Sequence, residues 1–186
     1  MWRKALALVL LATPGIAQDG PGPNLVIQVA GQANGTIVID LLPEVAPLHV
    51  ERITKLAAEG AYDGVIFHRV IEGFMAQTGD VRYGKGDRAI GRAGTGGSDL
   101  PDLPAEFSGI SFDRGVVGMA RAQSPNSANS QFFIMFEPGP FLDGQYTVVG
   151  RVIDGMKVVD AIKRGRGQSG SVDDPADMMM TVTVAP

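Results

Sequence analysis

Two stretches of the chain set polar side chains among apolar, strand-forming ones, and these are where residues able to do chemistry gather. The first runs Phe67-His68-Arg69-Val70-Ile71-Glu72-Gly73-Phe74-Met75-Ala76-Gln77-Thr78-Gly79-Asp80. The second opens with Met119-Ala120-Arg121-Ala122 and continues through Asn126 to Asn129-Ser130-Gln131-Phe132-Phe133-Ile134. Arg69 brings a permanent charge and several donors, so it can stabilise electron density that develops on a bound molecule. Strand alternation sets His68 on the face opposite Arg69, where it reads as a buried histidine with satisfied hydrogen bonds. Gln131 and Phe133 share one face, and Phe132 and Ile134 the other. A barrel interior takes the second pair, leaving Phe133 exposed outside, where a large apolar ring asks for a ligand. Gln77 shares a face with Met75.

Other chemistries lack their residues. The chain has no cysteine, so disulfides, zinc thiolates and thiol catalysis are out. With two histidines and no HExxH, GxSxG or Asp-rich calcium loop, no hydrolase or metal constellation forms, and no metal site is expected. His49 reads as a surface residue. Asp173, Asp174 and Asp177, interrupted by Pro175, read as a solvated turn. The Gly94-Thr95-Gly96-Gly97 run lacks the Gly-Lys-Ser/Thr ending of a phosphate cradle. A formal net charge of -4 argues against nucleic acid as a main partner.

The elements that must position these residues are mostly short strands. A 45% hydrophobic and 19% charged composition is that of a globular domain, and 25 Gly with 12 Pro favours turns over long helices. Val- and Ile-rich runs at 24–30 and 36–42, joined through Gly31 to Gly35, predict a hairpin. Asn34-Gly35-Thr36 matches a glycosylation acceptor, but a hairpin needs Asn-Gly there anyway. Further strands are expected at 65–71, 74–78, 115–120, 131–136, 147–152 and 178–184. Helices are expected after Pro47, with Val50, Ile53, Leu56 and Ala57 on one face and Gly60 as the stop, and over 154–163. Residues 84–98 read as a long glycine-rich surface loop, a feature uncommon unless functional. The fold class predicted is mainly β: a closed antiparallel eight-stranded barrel capped by two α-helices.

At the start, Arg3 and Lys4 precede an apolar run over 5–12, and Gly15-Ile16-Ala17 supplies small residues before Gln18. That pattern predicts a signal peptide over 1–17, a flexible leader over 18–23 and one domain over 24–186. The apolar run is too short to span a bilayer, which takes about 20 residues. An exported protein is expected, periplasmic if the source has two membranes, with a monomer as the default.

The two polar segments resemble the cyclophilin family. The first is close to its signature run, the second to its other characteristic stretch, and Phe141-Leu142-Asp143-Gly144 with Tyr146-Thr147-Val148-Val149-Gly150 continues the likeness. The resemblance covers about residues 24–184. It implies a cyclophilin-like barrel and a peptidyl-prolyl cis/trans isomerase, acting on proline-containing polypeptides without cofactor in the folding of exported proteins. It sets Arg69 at the family's catalytic arginine. Phe74, Met75, Phe133 and Leu142 would line a slot for the proline ring. Gln77 would hold the substrate backbone. The main chain at Arg121, flanked by Ala120 and Ala122, would carry the peptide, and Gln131, Phe141 and Tyr146 would complete the binding surface.

Two positions depart from the common pattern. Phe141 stands where many members carry tryptophan, and Tyr146 where many carry histidine, which predicts weak binding of cyclosporin. Other classes stay open: a module that holds proline-containing peptides without turnover, and a hollow barrel for a small ligand. Arg69, Gln77 and Phe133 together speak against the first, and Val, Ile and Phe filling the interior against the second.

Overall fold

A computed structural model describes residues 19–86 and 91–186. The signal peptide expected over 1–17 and the first leader residue lie outside the described residues. The β-branched runs form β1 (Asn24–Ala30) and β2 (Gly35–Leu41), an antiparallel hairpin with Asn24 opposite Asp40 and Val29 opposite Gly35. Helix α1 (Pro47–Ala58) starts at the proline expected to open it and buries Val50, Ile53, Leu56 and Ala57. Gly60, at φ 66°, ends it.

No side chain within α1 caps its first turn. The carboxylate of Glu106 does so from 57 residues away. It accepts the N–H groups of Leu48 and His49 at 3.2 and 3.1 Å and lies 2.5 Å from His49 Nδ1. An anion at a helix N-terminus is favourable, and here it also fixes the loop after the glycine-rich run. His49 is therefore fully buried, not on the surface: it is the contact between helix and loop.

The remaining strands are β3 (Val65–Ile66), β4 (Arg69–Ile71), β5 (Met75–Thr78), β6 (Val116–Met119), β7 (Phe132–Met135), β8 (Val148–Asp154) and β9 (Met178–Ala185). A short α2 (Met156–Ala161) lies between the last two, begins after Gly155 at φ 87° and is narrower than the 154–163 expected. Its buried Val159 and the following Ile162 meet the core.

The nine strands make one antiparallel sheet in the order β3-β9-β1-β2-β8-β6-β7-β5-β4. This corrects the closed eight-stranded barrel: the sheet curls through 294° and stays open. The opening lies where the run 65–71 divides. Phe67 and His68 break it into β3, which pairs with β9, and β4, which pairs with β5. The backbone groups that would close the seam are used elsewhere. Phe67 N–H donates to Asp177 O, Val70 N–H to Gly170 O, and His68 O accepts from Val172 N–H. Loop segments, not a strand, occupy the gap.

Asp177 is also not a solvated residue. It is buried and accepts the N–H groups of Ala33 at 2.8 Å and Lys163 at 2.6 Å, while Asp173 and Asp174 are exposed. Among the described residues, no helix is long and apolar enough to cross a membrane.

The two larger apolar clusters among the described residues follow from the alternation along the strands. The inner one gathers Leu25, Ile27, Ile37 and Ile39 with the α1 face, Tyr62, Phe67, Phe132 and Ile134. Tyr62 meets Phe132 edge-on at 5.7 Å and donates its hydroxyl to Ser130 O at 2.8 Å. Burial raises its pKa, so the phenol stays protonated. The outer cluster holds Met75, Phe112, Phe133, Met135, Leu142 and Val148. Phe132 and Phe133 thus face opposite sides, as their spacing predicts. Yet Phe133 is 5% exposed, not bare. Phe112 stacks on it at 5.8 Å, and Tyr146 meets its edge at the same distance. A Cβ on Gly118 would come within 2.6 Å of both phenylalanine rings, so only glycine lets them pack there.

Candidate active site

Strand pairing assembles the site on the outer face. Arg69 stands opposite Gln77 in the β4–β5 ladder, and Gln77 opposite Phe133 in the β5–β7 ladder. These residues, with Phe74, Met75, Ala120, Arg121, Phe141, Leu142, Gln145 and Tyr146, line a notch of about 430 Å³. Buried Met75, Phe133 and Leu142 make an apolar floor. Phe74 and Phe141 form one rim, their centroids 5.4 Å apart, and Phe141 is 64% exposed. Leu142 reaches the floor through a short 3-10 turn, Pro140–Leu142.

Ala122 and Gln131 line not this notch but an adjoining, more polar cavity of about 470 Å³. Gln77, Ala120 and Arg121 border both. Gln145 is a wall residue that the sequence reading missed. It sits in a turn, and nothing in its type or spacing marked it.

Arg69 is held along its length. Its Nε donates to Ser169 O at 3.0 Å and its Nη1 to Gln77 Oε1 at 3.1 Å, with Met75 Sδ 3.9 Å from Nη1. Burial lowers its pKa, with Tyr146 opposing, but a guanidinium remains charged at any pH in use. A half-buried cation over an apolar floor is poorly screened by water, so its field is directed at whatever fills the notch.

A relay of amides sets how Gln77 meets the arginine. Gln131 Nε2 donates to the carbonyls of Gly94 at 3.1 Å and Gly96 at 2.7 Å. Its oxygen must then turn toward Gln77, whose Nε2 donates to it at 2.9 Å. That leaves the Gln77 oxygen facing Arg69. Two main-chain carbonyls of the glycine-rich loop thereby fix the orientation of both side chains.

The loop is held in turn by Asp80, which is fully buried. Its Oδ1 accepts the N–H groups of Arg82 and Tyr83 at 3.1 and 2.8 Å, and its Oδ2 those of Gly94 and Gly96 at 2.8 and 2.9 Å. A Cβ at Gly96 would approach Asp80 Oδ1 to 2.6 Å, which explains the glycine. Asn129 continues the anchorage, accepting from Ser98 N–H at 2.7 Å and donating to Leu100 O at 3.0 Å. Neither Asp80 nor Asn129 was given a role from sequence. The usable signal was an acid directly before a glycine-rich loop, whose many free N–H groups need an acceptor.

His68 is buried on the other side of the strand, as alternation predicts, but it is not satisfied: neither ring nitrogen has a hydrogen-bond partner among the described residues. Burial lowers its pKa to about 4, against the opposing pull of the Asp80 carboxylate, so the ring is neutral near pH 7. Arg121 lies with its guanidinium 4.4 Å over the Tyr146 ring and donates to the carbonyls of Ala122, Gln123 and Gln145. It ties the two walls of the notch together. Among the described residues no group of three or more His, Cys, Asp or Glu gathers to hold a metal.

Comparison with known proteins points in one direction. A family model described as cyclophilin type peptidyl-prolyl cis-trans isomerase matches residues 25–184. The chain is 59% identical over 154 residues to a probable peptidyl-prolyl cis-trans isomerase of Brucella suis biovar 1, covering 81% of this chain and 78% of that one. It is 42% identical over 131 residues to a peptidyl-prolyl cis-trans isomerase-like 3 of Gallus gallus, covering 70% and 77%. In structure it resembles a Cryptosporidium parvum cyclophilin crystallised in the presence of the dipeptide Ala-Pro, with a TM-score of 0.73, 26% identity, and coverage of 88% of this chain and 99% of that one.

Proposed function

This chain belongs to the cyclophilin-type peptidyl-prolyl cis-trans isomerase family and is an isomerase of Xaa-Pro peptide bonds, and on that premise we propose that Arg69 is its catalytic group. The amide before proline resists rotation because nitrogen shares its lone pair with the carbonyl, a barrier of about 18–20 kcal/mol. Rotation breaks no covalent bond. The catalyst has only to bind the twisted amide more tightly than the planar one, and each factor of ten in rate takes about 1.4 kcal/mol of that preference.

In the twisted state the lone pair localises on nitrogen. With the proline ring on the Met75, Phe133 and Leu142 floor, the Arg69 guanidinium would meet that lone pair and gain a charge-assisted hydrogen bond absent from the planar amide. Gln77, turned toward Arg69 by the relay, keeps the guanidinium in place. It would also lie beside the backbone of the residue before the proline. The observation that carries this reading is the side-by-side arrangement of a fixed guanidinium and a notch with an apolar floor. Exchange spectroscopy on an Ala-Pro peptide tests it: catalytic amounts of protein should broaden or exchange the cis and trans signals, whereas unchanged exchange refutes it.

We further propose that the chain acts outside the cytoplasm, on exported polypeptides. What supports this is the positive, apolar, small-residue pattern of the first 17 residues. Mass spectrometry of the exported protein should find Gln18 as the first residue; a full-length chain kept inside the cell would contradict it.

A further inference from the structure

Arg69 and Arg121 both border the notch, and no acidic side chain lines it. Among the described residues neither arginine has an ion-pair partner. Arg121 spends its donors on neutral main-chain carbonyls, at 3.0 to 3.4 Å, and on the face of the Tyr146 ring. Hydrogen bonds to carbonyls hold the guanidinium still without cancelling its charge. Two fixed, uncompensated cations therefore flank the site of a chain whose overall charge is negative.

The location of Arg121 tells which substrate residue feels it. The apolar notch takes the proline ring, and the bond that rotates joins that ring to the preceding residue. Gln77, Ala120 and Arg121 are shared between the notch and the polar cavity beside it, so that preceding residue lies at the boundary the three of them form. The polar cavity itself is different in charge. Arg82 there is paired with Asp99, and Asp102 adds an anion held by Asn129. The net positive field is thus confined to the boundary.

Resting on the isomerase reading above, the geometry points to Arg121 as a specificity-determining residue that makes this enzyme favour prolyl bonds preceded by an acidic side chain. A glutamate before the proline would sit within range of both guanidiniums, and a lysine would be repelled by both. At a half-exposed site such attraction changes rates by severalfold, and salt weakens it, because the screening length falls from about 30 Å at 0.01 M to about 3 Å at 1 M.

The test is kcat/KM by NMR exchange for peptides that differ only in having Glu, Gln, Ala or Lys before proline. At low ionic strength Glu should exceed Gln by about threefold to tenfold and Gln should exceed Lys, with the Glu-to-Gln ratio falling below about twofold in 0.5 M salt. Arg121→Gln should bring that ratio near one, and Arg121→Lys should keep most of it. The ratio is unaffected by a uniform loss of activity. Turnover of the Ala peptide with equal rates for Glu and Gln, or a preference indifferent to salt, would overturn the inference and leave the isomerase reading intact. No turnover of any peptide would overturn both.

Discussion

Arg69 and Gln77 stand directly opposite each other in the β4–β5 ladder, with Nη1 of one 3.1 Å from Oε1 of the other. The pairing is a consequence of strand register, but its polarity is not. It is dictated by Gln131, and beyond it by two carbonyls of a glycine-rich loop. The orientation of the Arg69 guanidinium is thus set at three removes from the residue itself.

Gln131→Leu removes the group that orients Gln77 without touching the notch floor. The freed Gln77 amide can flip and present its nitrogen to Arg69. We expect kcat to fall about tenfold, a transition-state loss of about 1.4 kcal/mol, with KM nearly unchanged. Steady-state kinetics on a prolyl peptide separates the two constants.

Asp80→Ala leaves four partly buried N–H groups, of Arg82, Tyr83, Gly94 and Gly96, without their acceptor. Hydrogen bonds to a charged group are each worth about 1.5–3 kcal/mol, and some N–H groups will find water, so a loss of roughly 3 kcal/mol is expected. Urea denaturation measures it. Hydrogen exchange at Gly94 and Gly96 should accelerate well before the core amides do, because the loop opens first.

His68 couples stability to pH. Its folded pKa of about 4 lies below the unfolded 6.5, so the unfolded chain binds the extra proton between those values. Stability from the neutral ring is complete above pH 6.5 and is lost as pH falls toward 4, to a maximum of roughly 3 kcal/mol. Wild type should therefore weaken between pH 7 and 5 more steeply than His68→Gln. Parallel curves of unfolding free energy against pH would exclude this.

Phe141 is 64% exposed on the notch rim and has no N–H to offer. Cyclosporin should inhibit only weakly, and Phe141→Trp, which adds a donor at the same place, should strengthen inhibition by at least tenfold. A nanomolar inhibition constant for the unaltered protein would contradict it.

Much of this arrangement was readable in the sequence because period-2 alternation is local. It separated Phe132 from Phe133 and His68 from Arg69, and the apolar spacing after Pro47 gave α1. What could not be read was long-range. The division of 65–71 into two strands depends on hydrogen bonds to residues 170–177, far along the chain. Phe133 is covered by Phe112, from a segment with no periodicity. The burial of His49 depends on Glu106, and the role of Asp80 on a loop that folds back over it. Each is a partnership between distant residues, and nothing in local spacing announces such partners. Ala122 and Gln131, expected in the substrate-binding group, line the second cavity: each lies just beyond a strand end, Ala122 three residues after β6 and Gln131 directly before β7.

On the proposed mechanism the Arg69 charge acts on the twisted amide rather than on holding the peptide. The direct measurement compares Arg69→Ala with the unaltered protein, using NMR for both the exchange rate and the dissociation constant of one Ala-Pro peptide. The rate should fall about 10²-fold while the dissociation constant changes by less than about threefold. Full exchange activity in Arg69→Ala, or a loss carried wholly by weaker binding, would contradict it.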